Sequence, residues 1–399
     1  LRGAVFCEKL NTNKPSGVVV REKLLTIAGN VRLRYAVLWT LALLLVLDIG
    51  VRRWERTPDL VLRNEGQSHS VMPYLFRQMR LHRDRPVVAF IGASVMQGVL
   101  NATPKTTVPE LVQQTLRANG RQVECYNLAV IANGFGDDLA LAEESIRNGA
   151  DLLVFNLPYK LFSYKGALGY ESGHRSSAYY LRHRSDFGFL RRKFLLLSWR
   201  DYLDIHLQGA IGNIWALYRE RQLINLVLTG DTDALAGNLR NWLTEMIRPG
   251  TLQAPLAKVG TPQQRDRANV WKEATADYLA GNRDAYEKIV LDRKSRHFRM
   301  FELINRLGQS PDVKLLFVIS PINRTMNDET NQFAWNKYRQ FQVMMNEIVH
   351  ENENMLLDLT DAVDNRHFTD SDHLTITGNR QMAQALIAPI EQALAEMEE

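Results

Sequence analysis

Cysteine is nearly absent from this chain: Cys7 and Cys125 are the only two in 399 residues, too few for a disulfide framework and without the paired spacing of a zinc or redox motif. There is also no His-Glu-x-x-His, no Walker loop and no Gly-x-Gly-x-x-Gly. Their absence removes the usual sequence marks of a zinc peptidase, a P-loop nucleotidase and a dinucleotide-binding enzyme. No cofactor and no metal are expected. A large excess of one charge is missing too. The net charge is +5, and the arginines are scattered between aromatics, which argues against a nucleic-acid partner and for a membrane surface or an acidic envelope polymer. With 45% hydrophobic and 23% charged residues the chain is not low-complexity; it has the balance of a globular protein of one large or two medium domains.

One apolar run does stand out. "YAVLWTLALLLVLDIGV", Tyr35 to Val51, is interrupted only by Thr40, Asp48 and Gly50, and lies at the short end of what spans a bilayer as a helix. Arg21, Lys23, Arg32 and Arg34 precede it and favour a cytoplasmic N-terminus, while Arg52 and Arg53 beyond it weaken that asymmetry. No small-x-small cleavage site follows, so an uncleaved single-pass anchor is expected, with a buried core helix as the alternative. Near the far end of the run, Asp48 can reach headgroups or pair with Arg52. Read this way, residues 1–34 are a cytoplasmic tail, 35–51 the transmembrane anchor and 52–84 a linker. The rest then lies outside the cytoplasm, on the periplasmic or cell-surface side of the inner or plasma membrane, and Cys7 and Cys125 are on opposite sides of it.

From residue 85 the pattern alternates. "RPVVAFIGASVMQG", "QVECYNLAV" and "ADLLVFNLP" read as buried strands, and "VPELVQQTLRANG" and "DDLALAEESIRNG" as the helices between them. Strand–helix alternation implies a parallel sheet covered on both faces, a three-layer α/β/α architecture. Residues 164–307 lack a comparable strand run and read as a long helical insertion. The sheet pattern resumes at 308–399 with "VKLLFVISPIN", a helix around "FAWNKYRQFQVMMNEIVH", a strand at "MLLDLT" and a final helix, "NRQMAQALIAPIEQALAEM". Residues 85–163 and 308–399 would thus be two parts of one domain.

Two short stretches carry chemistry. Ser94 follows the first strand directly, where a hydroxyl projects from the carboxyl edge of a parallel sheet and the N–H groups of the next turn can stabilise an oxyanion. On its own, Gly92-Ala93-Ser94 reads more readily as a tight turn with a capping serine. "FTDSDHLTITGN", residues 368–379, places Asp370 three residues before His373, the spacing of a carboxylate that orients an imidazole able to deprotonate a serine.

"GASV" and "DSDH" together resemble the first and last motif blocks of the SGNH (GDSL-like) hydrolase superfamily. The resemblance implies Ser94 as nucleophile, His373 as general base and Asp370 as orienting acid. It leaves Asp372 as a solvated or loop-bonding acid that does not turn back to the ring. The superfamily's second-block glycine falls by spacing near Ala132, with Gly134 two residues on, and either backbone N–H could serve as oxyanion donor. Where the third block has Gly-x-Asn-Asp, this chain has "NLPYKL", with Lys160 at the expected asparagine and Asn156 four residues early. That departure, the anchor, the insertion and "LLFVISPINRTM" before "FTDSDHLTITGN" resemble the D-alanyl transfer protein (DltD) family over residues 35–163 and 310–385. The resemblance adds Pro321 and Asn323 as residues lining the site. It also implies an O-acyltransferase that moves a small acyl group (D-alanyl, acetyl or similar) through an acyl-serine to a hydroxyl of an envelope polysaccharide or teichoic-type polymer. A polytopic membrane-bound O-acyltransferase would be the acyl donor. An anchored esterase or thioesterase using water, and a non-catalytic scaffold of the same fold, are the alternatives.

Overall fold

The computed structural model describes residues 31–54, 72–98, 104–130, 133–163, 199–221, 224, 272, 279, 283–284, 286–331 and 333–397. The chain divides into two compact units, residues 1–56 and 57–399.

In the first unit, α1 (Val31–Trp54) is a single helix that overruns the expected apolar segment at both ends. Its Tyr35–Arg53 stretch is long and apolar enough to cross a membrane. Side chains such as Trp39, Leu45 and Val46 are exposed along it. Asp48 is instead buried and accepts a hydrogen bond from Arg52 Nε at 2.8 Å, one turn on. Pairing within one turn removes much of the cost of a carboxylate in an apolar helix.

The second unit is built on five parallel strands: β1 (Val87–Ile91), β2 (Glu124–Asn127), β3 (Leu152–Leu157), β4 (Lys314–Ile319) and β5 (Met355–Asp358), in the order β2-β1-β3-β4-β5. All four pairings are parallel, and the inner strands β1, β3 and β4 are apolar runs buried on both faces, as a covered parallel sheet requires, while β5 at the edge is only partly buried. On one face Val88, Phe90, Val154, Leu316 and Val318 pack against α4 (Val108–Ala118) and α11 (Ile376–Ala395) through Val112, Leu116, Met382, Leu386 and Ile390. The other face is aromatic. Phe155 stacks on Phe317 at 5.2 Å, and Phe301 meets Phe317 edge-on at 5.0 Å. This face is covered by α5 (Phe135–Arg147), α8 (Arg296–Asn305) and α10 (Trp335–His350).

Two boundaries differ from the sequence expectation. The stretch expected as linker carries α2 (Met72–Leu81), which buries Met72, Tyr74, Leu75, Phe76 and Met79 against β2 and α5. His82 Nδ1 lies 2.9 Å from the Tyr126 hydroxyl. Its arginines made the segment look polar, yet its apolar side chains share one helical face. In the same way α8, placed in the insertion by sequence, belongs to the sheet domain, because Phe298 and Phe301 fill the aromatic layer beside Phe162 and Phe317. Within the insertion, α6 (Trp199–Ile214) and α7 (Ala216–Arg219) are helical as expected. Most of the remainder of 164–307 lies outside the described residues.

The sheet order reverses between β1 and β3, and ligands of open parallel sheets sit beyond the carboxyl ends of the strands at such a point. Gly92 ends β1 there with φ 152°. A Cβ added to it would stand 2.8 Å from Asn156 Cβ on β3, so backbone conformation and space both exclude a side chain. Gly92→Ala is expected to cost about 2–4 kcal/mol of stability, read from the urea midpoint of the chain from residue 57 onward.

Candidate active site

Ser94 opens a helix of one turn, α3 (Ser94–Gln97), directly past this constriction. Around it, the loop after β2 folds back over Gly92, whose carbonyl accepts from Val130 N at 3.0 Å and from Asn133 Nδ2 at 3.2 Å. Asn127 Nδ2 reaches Met96 O at 3.4 Å and ties the short helix to β2. Ser94 is thus set on a turn anchored from two strands.

His373 approaches from the loop before α11. Its Nε2 lies 2.8 Å from Ser94 Oγ, and its Nδ1 lies 2.8 Å and 3.0 Å from the two carboxylate oxygens of Asp370. The structure therefore brings together the three residues that sequence separates by most of the domain. The loop is built to do so. Asp370 Oδ1 accepts from the backbone N–H groups of Asp372 at 3.1 Å and His373 at 2.8 Å, an Asx-type turn that fixes the carboxylate under the ring. Thr369 N donates to His373 O at 2.8 Å, and Phe368 and Leu374 pair as an antiparallel bridge. Thr375 then caps α11 by accepting from Gly378 N.

Asn323 is the support beneath this loop. Its backbone N donates to Ser371 O at 3.0 Å and its Nδ2 to Asp370 O at 3.1 Å, while its Oδ1 caps α9 (Arg324–Glu329) through Met326 N. Asn323 is expected from the resemblance to line the site; here its amide is turned toward the loop backbone, where it positions Asp370. Gly134 also departs from its expected part. It caps α5, and its N–H donates to the Asp137 carboxylate at 3.0 Å, which leaves it no free donor. Asn156 sits inside β3, buried, and donates to Ser320 Oγ at 2.8 Å; its Oδ1 has no hydrogen-bond partner among the described residues. Ala132 lies outside the described residues.

Asp372 differs from expectation as well. It does bond within the loop, accepting from Ser371 Oγ at 2.7 Å, but its carboxylate also stands 3.7 Å from His373 Nδ1. Sequence reasoning also missed two buried polar residues with no motif signal, Asn133 in the loop between β2 and α5 and Ser320 directly past β4. Asn133 Nδ2 also donates to Asp138 Oδ1 at 3.2 Å. Burial, helped by the charge of Asp137, pushes the Asp138 carboxyl well above the usual carboxylate range.

Burial disfavours the His373 imidazolium. The charge of Asp372 and the hydrogen bond and charge of Asp370 outweigh burial and the opposing charge of Lys160, raising His373 to about 9. Asp370, which burial alone would raise, is brought down to about 2 by the hydrogen bond and charge of His373 and by the two backbone N–H groups. Asp370, Asp372 and His373 present oxygen and nitrogen atoms within 4.8 Å of one another. The imidazole, the Ser371 hydroxyl and the turn N–H groups already engage those carboxylates, so hydrogen bonding accounts for the cluster.

No curated protein matches the chain by sequence. One family model matches residues 266–395, a span that includes the Asp370–His373 loop and leaves Ser94 outside. Among solved structures the chain is similar to Axe2, an acetylxylan esterase from Geobacillus stearothermophilus, at 11% identity and TM-score 0.35. It is also similar to LAE5, an alpha/beta hydrolase enzyme from the metagenome of Lake Arreo, Spain, at 10% identity and TM-score 0.32. Each covers 76% of this chain and 94% of the other. Similarity at this level carries nothing about activity.

Two outcomes test the geometry. A raised histidine stabilises fully below its ordinary value of about 6.5 and loses that contribution as pH climbs through about 9. A depressed aspartate stabilises fully above its ordinary value and loses the contribution as pH falls through about 2. The gap in urea midpoint between the parent and Asp370→Asn should therefore be widest between about pH 4 and 6.5 and narrow on both sides. Asn323→Ala should lower stability by about 1–3 kcal/mol and slow covalent labelling of Ser94 by a phosphonate about tenfold or more through loss of alignment.

Proposed function

We propose that the chain is an SGNH-type serine enzyme that forms an acyl-Ser94 intermediate and passes a small acyl group, D-alanyl, acetyl or similar, to a hydroxyl of a cell-envelope polymer. In this reading α1 holds the site on the extracytoplasmic side of the membrane, and a polytopic membrane-bound O-acyltransferase supplies the acyl group. The observation that carries the chemistry is the single imidazole that meets Ser94 Oγ with one nitrogen and the Asp370 carboxylate with the other. That is the arrangement in which an imidazole can take the proton of a hydroxyl and make it a nucleophile.

In the first half, Ser94 Oγ attacks the acyl carbonyl as its proton passes to His373 Nε2. The tetrahedral adduct collapses when that proton goes to the leaving oxygen. In the second half the acceptor hydroxyl gives its proton to Nε2 and attacks the ester, and Ser94 leaves reprotonated. Asp370 remains charged throughout and steadies the imidazolium. Gly134 and Asn323 are hydrogen-bonded elsewhere, so the oxyanion would fall largely to backbone N–H groups at the start of α3.

Ser94→Ala and His373→Ala should abolish acyl transfer, Asp370→Asn should reduce it by about a thousandfold or more, and double variants should be little worse than the worst single one. The assay is product analysis with and without polymer after loading with an activated acyl ester. Free acid released at a rate indifferent to polymer would make the enzyme an esterase or thioesterase. Retention of the cellular acylation phenotype in Ser94→Ala would make it a scaffold.

A further inference from the structure

Asp372 is a charged group beside His373 that this mechanism does not use. Its place is fixed from three sides. Ser371, itself buried, donates its hydroxyl to Asp372 Oδ1 at 2.7 Å. The Ser371 carbonyl is held by Asn323 N at 3.0 Å, and Asp372 N donates to Asp370 Oδ1 at 3.1 Å. The first bond holds the carboxylate itself and the other two hold the backbone that carries it, so the carboxylate leaves the ring only by giving up the Ser371 hydroxyl. At 3.7 Å from Nδ1 it is too far for a good hydrogen bond, yet well within the distance at which an opposite charge stabilises an ion.

The imidazole thus faces two carboxylates, Asp370 and Asp372, on its Nδ1 edge and the Ser94 hydroxyl at Nε2, while the charge of Lys160 opposes them more weakly. A triad needs one carboxylate to orient its histidine. The second therefore calls for its own account.

We propose that Asp372 is a positioning residue that acts through His373: it keeps the resting imidazole protonated and so sets the pH at which Ser94 becomes a nucleophile. In that resting state Nε2–H donates to Ser94 Oγ, and the serine has no base. Removing the proton reverses the hydrogen bond and leaves a base stronger than an ordinary histidine. The site is then slow at neutral pH and fast in alkali, which also limits adventitious attack on water-borne esters. This inference rests on the acyl-serine reading above, and pH separates the two.

The test follows two quantities across about pH 5.5–10.5 in the parent and in Asp372→Asn: the rate of Ser94 labelling by an aryl phosphonate, and the Cε1–H proton resonance of His373. In the parent both should titrate near about 9. In Asp372→Asn both midpoints should fall by about one pH unit or more. Labelling should become about tenfold faster at pH 7 and slower on the alkaline plateau, because the weaker base is more often free. Ser371→Ala, which releases the carboxylate without removing it, should shift the midpoints in the same direction and serves if Asp372→Asn folds poorly. Rates that drop at every pH with an unmoved His373 midpoint would reduce Asp372 to a loop residue and overturn the proposal. If Ser94 resists the phosphonate at every pH, the acyl-serine reading falls, and the imidazole titration still decides the role of Asp372.

Discussion

The site hangs on one backbone clamp, the pair of hydrogen bonds that Asn323 donates to the carbonyls of Asp370 and Ser371. β4 ends just before Asn323, so the clamp transfers the rigidity of a central strand to a loop that has no regular structure of its own. From there the order propagates outward. The held loop presents Asp370 to two N–H groups and to Nδ1, the ring turns its other nitrogen to Ser94, and Ser94 is set by a turn that Gly92 lets pass close to β3. Buried and fully bonded polar groups of this kind specify one arrangement where apolar packing would allow several.

Electrostatics at the ring is a contest between burial and charge. Burial alone would make His373 a weak base that rests neutral. Two carboxylates reverse that outcome, and the cost of burying Asp370 is offset by its two backbone donors and the imidazole. The two groups stabilise each other's charged forms, so the pair is best regarded as one unit that loses its protons in two widely separated steps rather than as two independent residues.

Much of this was legible in the sequence. The three inner strands β1, β3 and β4 announced themselves as apolar runs, and the serine past the first of them and the Asp-x-x-His before the last helix pointed to the residues that meet in space. What could not be read has a common physical cause. The α2 segment mixes arginines with an apolar face, so composition hid what helical periodicity would have shown. Asn323 and Gly134 sit at positions where a family pattern expects donors to substrate, but which way an amide or an N–H points depends on neighbours far away in the chain. Asp372 was misjudged for the same reason. Adjacent side chains in extended backbone diverge, yet the tight turn around Asp370 and the pull of the Ser371 hydroxyl bring its carboxylate back toward the ring.

The residues that do not supply oxyanion donors bear on how such a site would work. A hydrolase must stabilise the tetrahedral adduct on any ester that diffuses in, and losing one donor typically costs about a hundredfold to a thousandfold in turnover. An enzyme handed an activated acyl group by a membrane-bound partner has less need of that term, because positioning lowers the same barrier. The protonated resting histidine proposed above fits the second case better than the first. It keeps the serine idle toward stray esters and water, and it makes activity depend on whatever shifts the proton. Among the described residues, Gly134 and Asn323 are bonded away from any oxyanion and the imidazole is countered by two carboxylates, and both features are consistent with the proposed site, poor by itself and effective when its substrate is delivered.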